Sequence, residues 1–161
     1  MKSLWFRVIP VLACLFIASS CHSAGKLGGV LVGLTEYRPT TLDTQATLSL
    51  RFNNENVFPL GISKTTGKLY LNDTYIGHFE IKNAIGVPRL SAVNQTAVLF
   101  IENTAYIRQL RSSASATSIA YRLEILLTLD ISEERTEIKT KSSGQIDAAS
   151  LSAKPADEHK N

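Results

Sequence analysis

Leu42-Asp43-Thr44-Gln45-Ala46-Thr47-Leu48-Ser49-Leu50-Arg51-Phe52, running into Asn53-Asn54-Glu55-Asn56 and then Val57-Phe58-Pro59-Leu60, is the stretch that decides the fold. From Leu42 to Phe52 the even positions are mostly apolar and the odd ones are all polar. A period of two is the mark of a half-buried strand, because successive side chains leave a strand on opposite faces. The alternation stops at the Asn-rich corner, where short amides bond nearby backbone and tolerate turn conformations. Val57 to Leu60 is an apolar plug, whose proline has no N–H to give to a central ladder.

Working outward, Val30 to Tyr37 reads as a first strand with Val30, Val32 and Leu34 on one face, turned by Arg38-Pro39-Thr40-Thr41. Downstream, Ile62 to Leu71 and Tyr75 to Ile81 flank Asn72-Asp73, a two-residue hairpin signal. Gly77 marks a bulge or a close backbone approach. Ile85 to Leu90 reads as a crossing loop, and Thr96 to Ile101, apolar over its last five residues, as a strand covered on both sides. In Asn103 to Ser113, Tyr106, Ile107 and Leu110 recur on one side against Arg108, Gln109 and Arg111, which predicts a short helix capped by Asn103 or Thr104 and plugging an open end. Ile119 to Ile131 alternates again. Glu133-Glu134-Arg135 turns the chain, and Thr136 to Lys141 with Gln145-Ile146 make a polar edge strand. Residues 148–161 are small and charged without periodicity, so they are expected to be disordered. The expectation is a mainly β protein, an antiparallel β-sandwich of immunoglobulin or fibronectin III type with about seven strands and one short helix.

At the N-terminus, Met1 to Arg7 carries two positive charges, Val8 to Ala18 is apolar, and Ser19-Ser20 precede Cys21. This is the three-part layout of a secretory signal. Ala18-Ser19-Ser20-Cys21 resembles a bacterial lipobox, in which the cysteine becomes the lipidated first residue. Competing readings are cleavage near Ser20 to give a soluble periplasmic protein, an uncleaved anchor, or lipidation of Cys14, for which the apolar region is too short. The resulting division is 1–20 signal peptide, 21–29 tether, 30–147 domain and 148–161 tail. With histidine and not aspartate at position 22, the resemblance implies an acylated (palmitate-bearing) lipoprotein on the periplasmic side of the outer membrane.

Composition narrows the classes further. The 161 residues leave room for one ordinary domain. Removing Lys2 and Arg7 from the 17 basic residues leaves 15 against 14 acidic ones, so no field that gathers nucleic acid is expected. Both cysteines, Cys14 and Cys21, precede the domain, which excludes a disulfide framework within it.

Chemistry-bearing motifs are sparse. His22, His78 and His159 have no second ligand at metal-type spacing, so no metal or other cofactor is expected. The carboxylates Glu55, Glu80, Glu102, Glu124 and Asp130 are scattered and name no sequence-local acid–base pair, and the serines lie outside any nucleophile-elbow pattern. Glycines 25, 28, 29 and 33 lack phosphate-loop spacing. The chain reads as a non-enzyme.

The corner Leu48 to Leu60, followed by the hairpin Lys68 to Gly77, resembles late embryogenesis abundant type 2 proteins, the water stress and hypersensitive response (WHy) domain. In that family an alternating strand runs into Asn-Pro-Asn and an apolar-proline-leucine step. Here Asn53 and Asn56 stand at the matching positions with Phe58, Pro59 and Leu60, while Asn54-Glu55 replaces the single proline and Asn72-Asp73 replaces Asn-Gly. The resemblance implies a seven-stranded sandwich with one helix, linked to desiccation or other stress and without an active site; its asparagines are read as structural. The expected partners are the membrane through Cys21, and client proteins or lipid, with no nucleic acid.

Overall fold

The computed structural model describes residues 29–113, 117–131 and 134–152. Eight strands follow in the order β1 (Val30–Pro39), β2 (Gln45–Asn54), β3 (Leu60–Leu71), β4 (Thr74–Ile81), β5 (Ile85–Val87) and β6 (Ser91–Ile101), then β7 (Ser118–Ile131) and β8 (Glu134–Asp147). One helix, α1 (Thr104–Ser112), lies between β6 and β7, and a 3-10 turn (Ala148–Leu151) follows β8. All pairings are antiparallel, in the spatial order β1-β2-β6-β4-β3-β7-β8 with β5 on the side of β3. The outermost strands β1 and β8 lie against each other, so the sheet is nearly closed into a barrel-like shape.

Alternation fills the interior. Ala46, Leu48, Leu50 and Phe52 of β2 and Ile119, Tyr121, Leu123, Ile125, Leu127 and Leu129 of β7 are buried. Each large apolar side chain removed from water contributes roughly 1.5–3 kcal/mol, a scale on which this cysteine-free core needs no covalent staple. Three bulges reset the pattern, one of them at Ile76 of β4, the extra residue between Tyr75 and Gly77 against β3. Thr35 is the extra residue between Leu34 and Glu36 against β2, which turns Tyr37 inward although Val30, Val32 and Leu34 set the opposite parity. Ser63 does the same in β3 and carries Thr65 into the core.

Several expectations are corrected. Leu42 is not part of β2: Thr40 Oγ1 accepts from the Leu42 N–H and the Leu42 carbonyl accepts from Gln45, a turn that leaves Leu42 exposed. Ile85 to Val87 is a strand, because its backbone groups pair with Leu60 to Ile62 of β3. The β6 strand is covered on one face only, with Val98 and Phe100 exposed between buried Ala97, Leu99 and Ile101. The tail is ordered through its first residues: Asp147 caps the 3-10 turn and Leu151 is buried, since an apolar side chain there closes the core beneath α1. Residues 153–161, the expected signal segment, Cys21 and the expected tether up to residue 28 lie outside the described residues.

The hairpin and helix match their sequence signals. Asn72 and Asp73 both take positive φ, 44° and 62°, as the tight primed turn requires. Asn103 Oδ1 accepts from the Tyr106 N–H at 3.2 Å, and Ile107 is buried with Tyr106 and Leu110 packed beside it. Arg111 reaches Asp43 in the β1–β2 turn at 3.3 Å, so α1 closes the end formed by that turn, the hairpin and the 3-10 turn.

The sheet consists of a three-stranded group, β1-β2-β6, and a group around β3, joined by a β4–β6 ladder of three pairs: Gly77 with Ile101, His78 with Phe100 and Phe79 with Leu99. A Cβ at Gly77 would collide with the Phe100 carbonyl oxygen, so only glycine lets the two strands meet. Gly77→Ala is expected to lower unfolding free energy by about 2–3 kcal/mol in urea denaturation, because neither backbone can withdraw without breaking that ladder.

Candidate functional site

At the end opposite α1, the β2–β3 corner, the β5–β6 connection and the start of β1 meet. Asn54, the last residue of β2, turns its side chain inward and is almost fully buried. Its amide nitrogen donates to the carbonyls of Phe58 at 2.9 Å, Val87 at 3.2 Å and Pro88 at 3.1 Å. Its amide oxygen accepts from the backbone N–H of Asn56 at 2.9 Å and from the Asn56 side chain at 2.8 Å. The Asn56 carbonyl in turn accepts from the Leu90 N–H at 3.0 Å. One buried carboxamide thus satisfies backbone groups of two loops that strand pairing leaves over.

The motif residues divide by role. Asn56 belongs to this network, whereas Asn53 is half-exposed and its backbone lies between Leu31 and Ala92 in the ladder. Leu60 is buried at the start of β3, but Phe58 and Pro59 are exposed, with Val57 beside them. Asn54 was legible only as a departure from the family corner. The alternation was the signal for it: position 54 continues the even, inward-facing series of β2.

A second arrangement lies on the outer face. Glu102 accepts from the Tyr75 hydroxyl at 2.8 Å and lies 2.7 Å from His78 Nδ1, while the His78 ring stacks on Phe100 at 5.6 Å. Sequence separation hid this trio, which β4–β6 pairing assembles. The His78 hydrogen bond and then that of Tyr75 hold the Glu102 carboxyl below its ordinary range. Partial burial, followed by Glu102, pushes the Tyr75 phenol up to about 12. His78 and Glu102 are both about half exposed, so the trio lies open to water and surrounds no enclosed space.

Beside it, a groove of about 740 Å3 runs across β4, β3, β7 and β8, lined by Lys64, Lys68, Lys139 and Lys141 with Glu80 and Glu124. Lys64 pairs with Glu80 at 2.9 Å, and Lys141 and Arg122 with Glu124 at 3.1 and 2.7 Å. The hydrogen bond from Lys64 lowers the Glu80 pKa, and that from Lys141 lowers the Glu124 pKa. Among the described residues no group of three or more His, Cys, Asp or Glu side chains is placed to hold a metal ion, and no helix is long and apolar enough to cross a membrane.

No protein-family model matches the chain, and neither does any curated protein. Solved structures do. The solution structure of AT1g01470 from Arabidopsis thaliana is 16% identical, covers 79% of this chain and 89% of that one, and superposes with a TM-score of 0.55. A putative late embryogenesis abundant (LEA) protein, At2g46140.1, is 15% identical over 86% of this chain and 84% of its own, with a TM-score of 0.52. The chain therefore has an LEA-like fold.

Two measurements test this anatomy. Asn54→Ala is expected to cost about 3 kcal/mol in urea unfolding, since it removes five hydrogen bonds of the corner, the buried one to the Val87 carbonyl among them, and Asn53→Ala less than about 1 kcal/mol. Glu80, Glu102 and Glu124 have lower pKa values folded than unfolded, so their stabilisation is complete above the unfolded value and disappears as pH falls through the folded ones. The melting temperature should hold near neutral pH and drop below about pH 4.5, and the triple Glu→Gln variant should show a shallower drop.

Proposed function

We propose that this chain is a lipid-anchored envelope protein, tethered through acylated Cys21 to the periplasmic face of a bacterial outer membrane, whose domain serves as a non-catalytic module protecting against desiccation or related stress. The observation that carries the protective role is the LEA-like fold, shared with a putative late embryogenesis abundant protein. The anchor rests on Ala18-Ser19-Ser20-Cys21 behind a charged and apolar leader. In this reading the two strand groups joined by the β4–β6 ladder face each other as the layers of a sandwich. Its outer surface, set with paired lysines and glutamates, keeps the domain soluble beside client proteins or lipid as water is withdrawn.

A second reading, a module that binds a lipid or protein partner, is favoured by the lysine-lined groove, whose size and charge suit an anionic group. Drying a reporter enzyme with the full chain, against an equal mass of inert protein, separates the two. Reduced aggregation supports protection. Equal aggregation overturns it, and co-purified anionic lipid or protein released by Lys64→Ala/Lys139→Ala then favours binding. The address is tested by palmitate labelling, which should be lost in Cys21→Ser and blocked by globomycin; labelling that survives both overturns it.

A further inference from the structure

The end of the domain that carries the Asn54 network also exposes large apolar side chains. Val57 is 72% exposed, Leu90 67% and Phe58 39%, with Pro59 and Pro88 exposed beside them. Leu90 also holds a φ of 47°, a left-handed conformation that L side chains rarely adopt and that asparagine or glycine fills at less strain. The bond from its N–H to Asn56 fixes that geometry. A branched apolar residue is thus held in a strained turn with its side chain in water, which neither packing nor turn chemistry calls for.

The direction of the chain identifies what covers this surface. Gly29 lies at the same end, its carbonyl accepting from the Glu55 N–H at 3.4 Å, and β1 starts there opposite Asn54. Cys21 precedes Gly29 by eight residues, which reach at most about 28 Å when extended. Exposed Leu42 and α1 lie at the far end, away from the point of entry. Among the described side chains, the charged groups about the apolar tip are Arg89 and Glu55, with the Asp130–Arg135 pair at the neighbouring β7–β8 end.

We propose that Val57, Phe58, Pro59 and Leu90 form a membrane-facing tip that enters the interfacial region of the lipid bilayer when the domain is anchored, with Arg89 meeting phosphate headgroups. This inference rests on the anchored reading given above. Acyl chains already make attachment stable, so the tip sets orientation and depth more than affinity. It stands the sheet on end, with the lysine groove turned sideways and α1 toward the periplasm.

The readout is therefore depth. The sequence has a single tryptophan, Trp5, in the segment removed before Cys21, so Phe58→Trp gives the mature chain one reporter at the tip and Leu42→Trp one at the far end. The full chain is produced in a bacterial host, purified with its acyl groups, and reconstituted into vesicles of phosphatidylethanolamine and phosphatidylglycerol containing brominated lipid. Quenching at position 58 should exceed that at position 42 by about threefold or more, and Val57→Asp/Leu90→Asp in the Phe58→Trp background should abolish the difference while leaving the melting temperature of the detergent-solubilised protein unchanged. Equal quenching at both positions on a chain whose mass shows acylated Cys21 overturns the tip alone. An unacylated Cys21 overturns the anchored reading and the tip with it. Concentration-dependent shielding of position 58 without lipid quenching assigns the surface to a second copy of the chain and also overturns the proposal.

Discussion

The architecture turns on a very short seam, the three-pair ladder between β4 and β6. Every other neighbouring pair along the path is extensive, β7 with β8 over the whole of both strands and β2 with β6 over ten positions. Without the seam, β1-β2-β6 and the group around β3 would be two separate sheets, each with a bare apolar face. Gly77 makes the join possible by removing the one side-chain atom that would hold the Phe100 carbonyl away. Beyond the seam the strands diverge, and that splay lets a single sheet wrap its greasy face around one interior.

Curling a sheet leaves two open ends, and the chain treats them differently. One is closed with apolar mass, by Ile107 of α1 and Leu151 of the 3-10 turn. The other is closed with hydrogen bonds, by the buried Asn54 carboxamide set among the loop carbonyls of Phe58, Val87 and Pro88. Because the buried Asn54 and Asn56 side chains make this polar closure, the loops at that end turn Val57, Phe58 and Leu90 outward. The exposed apolar tip is thus a product of how the corner is tied, and it lies where the chain arrives from Cys21.

The outer surface follows a different logic. Glu80, Glu102 and Glu124 sit within hydrogen-bonding distance of lysine, arginine, tyrosine or histidine, in contacts open to solvent. Such pairs add little stability individually at neutral pH, yet they keep a broad β surface charged and soluble. The core holds no cysteine among the described residues, so the charged exterior encloses an interior that rests on apolar burial alone.

The sequence by itself determined the strands whose side chains alternate without interruption, β2 and β7, together with the Asn72-Asp73 turn and the Asn103-capped helix. Each is a local decision, made by side-chain period, positive φ or a single cap, and needs no distant partner. Only the tertiary structure decided the rest. Bulges at Thr35, Ser63 and Ile76 reverse inward parity by one inserted residue that no period reveals. The β5 strand exists because β3 offers it hydrogen-bonding partners, and the tail orders because Leu151 finds a place in the core. Asn54 became the hub of the corner, and Glu102 the partner of both Tyr75 and His78, through backbone pairings that unite residues distant in the chain. Such convergence is set by register and closure, properties of the whole sheet that no short stretch of residues carries.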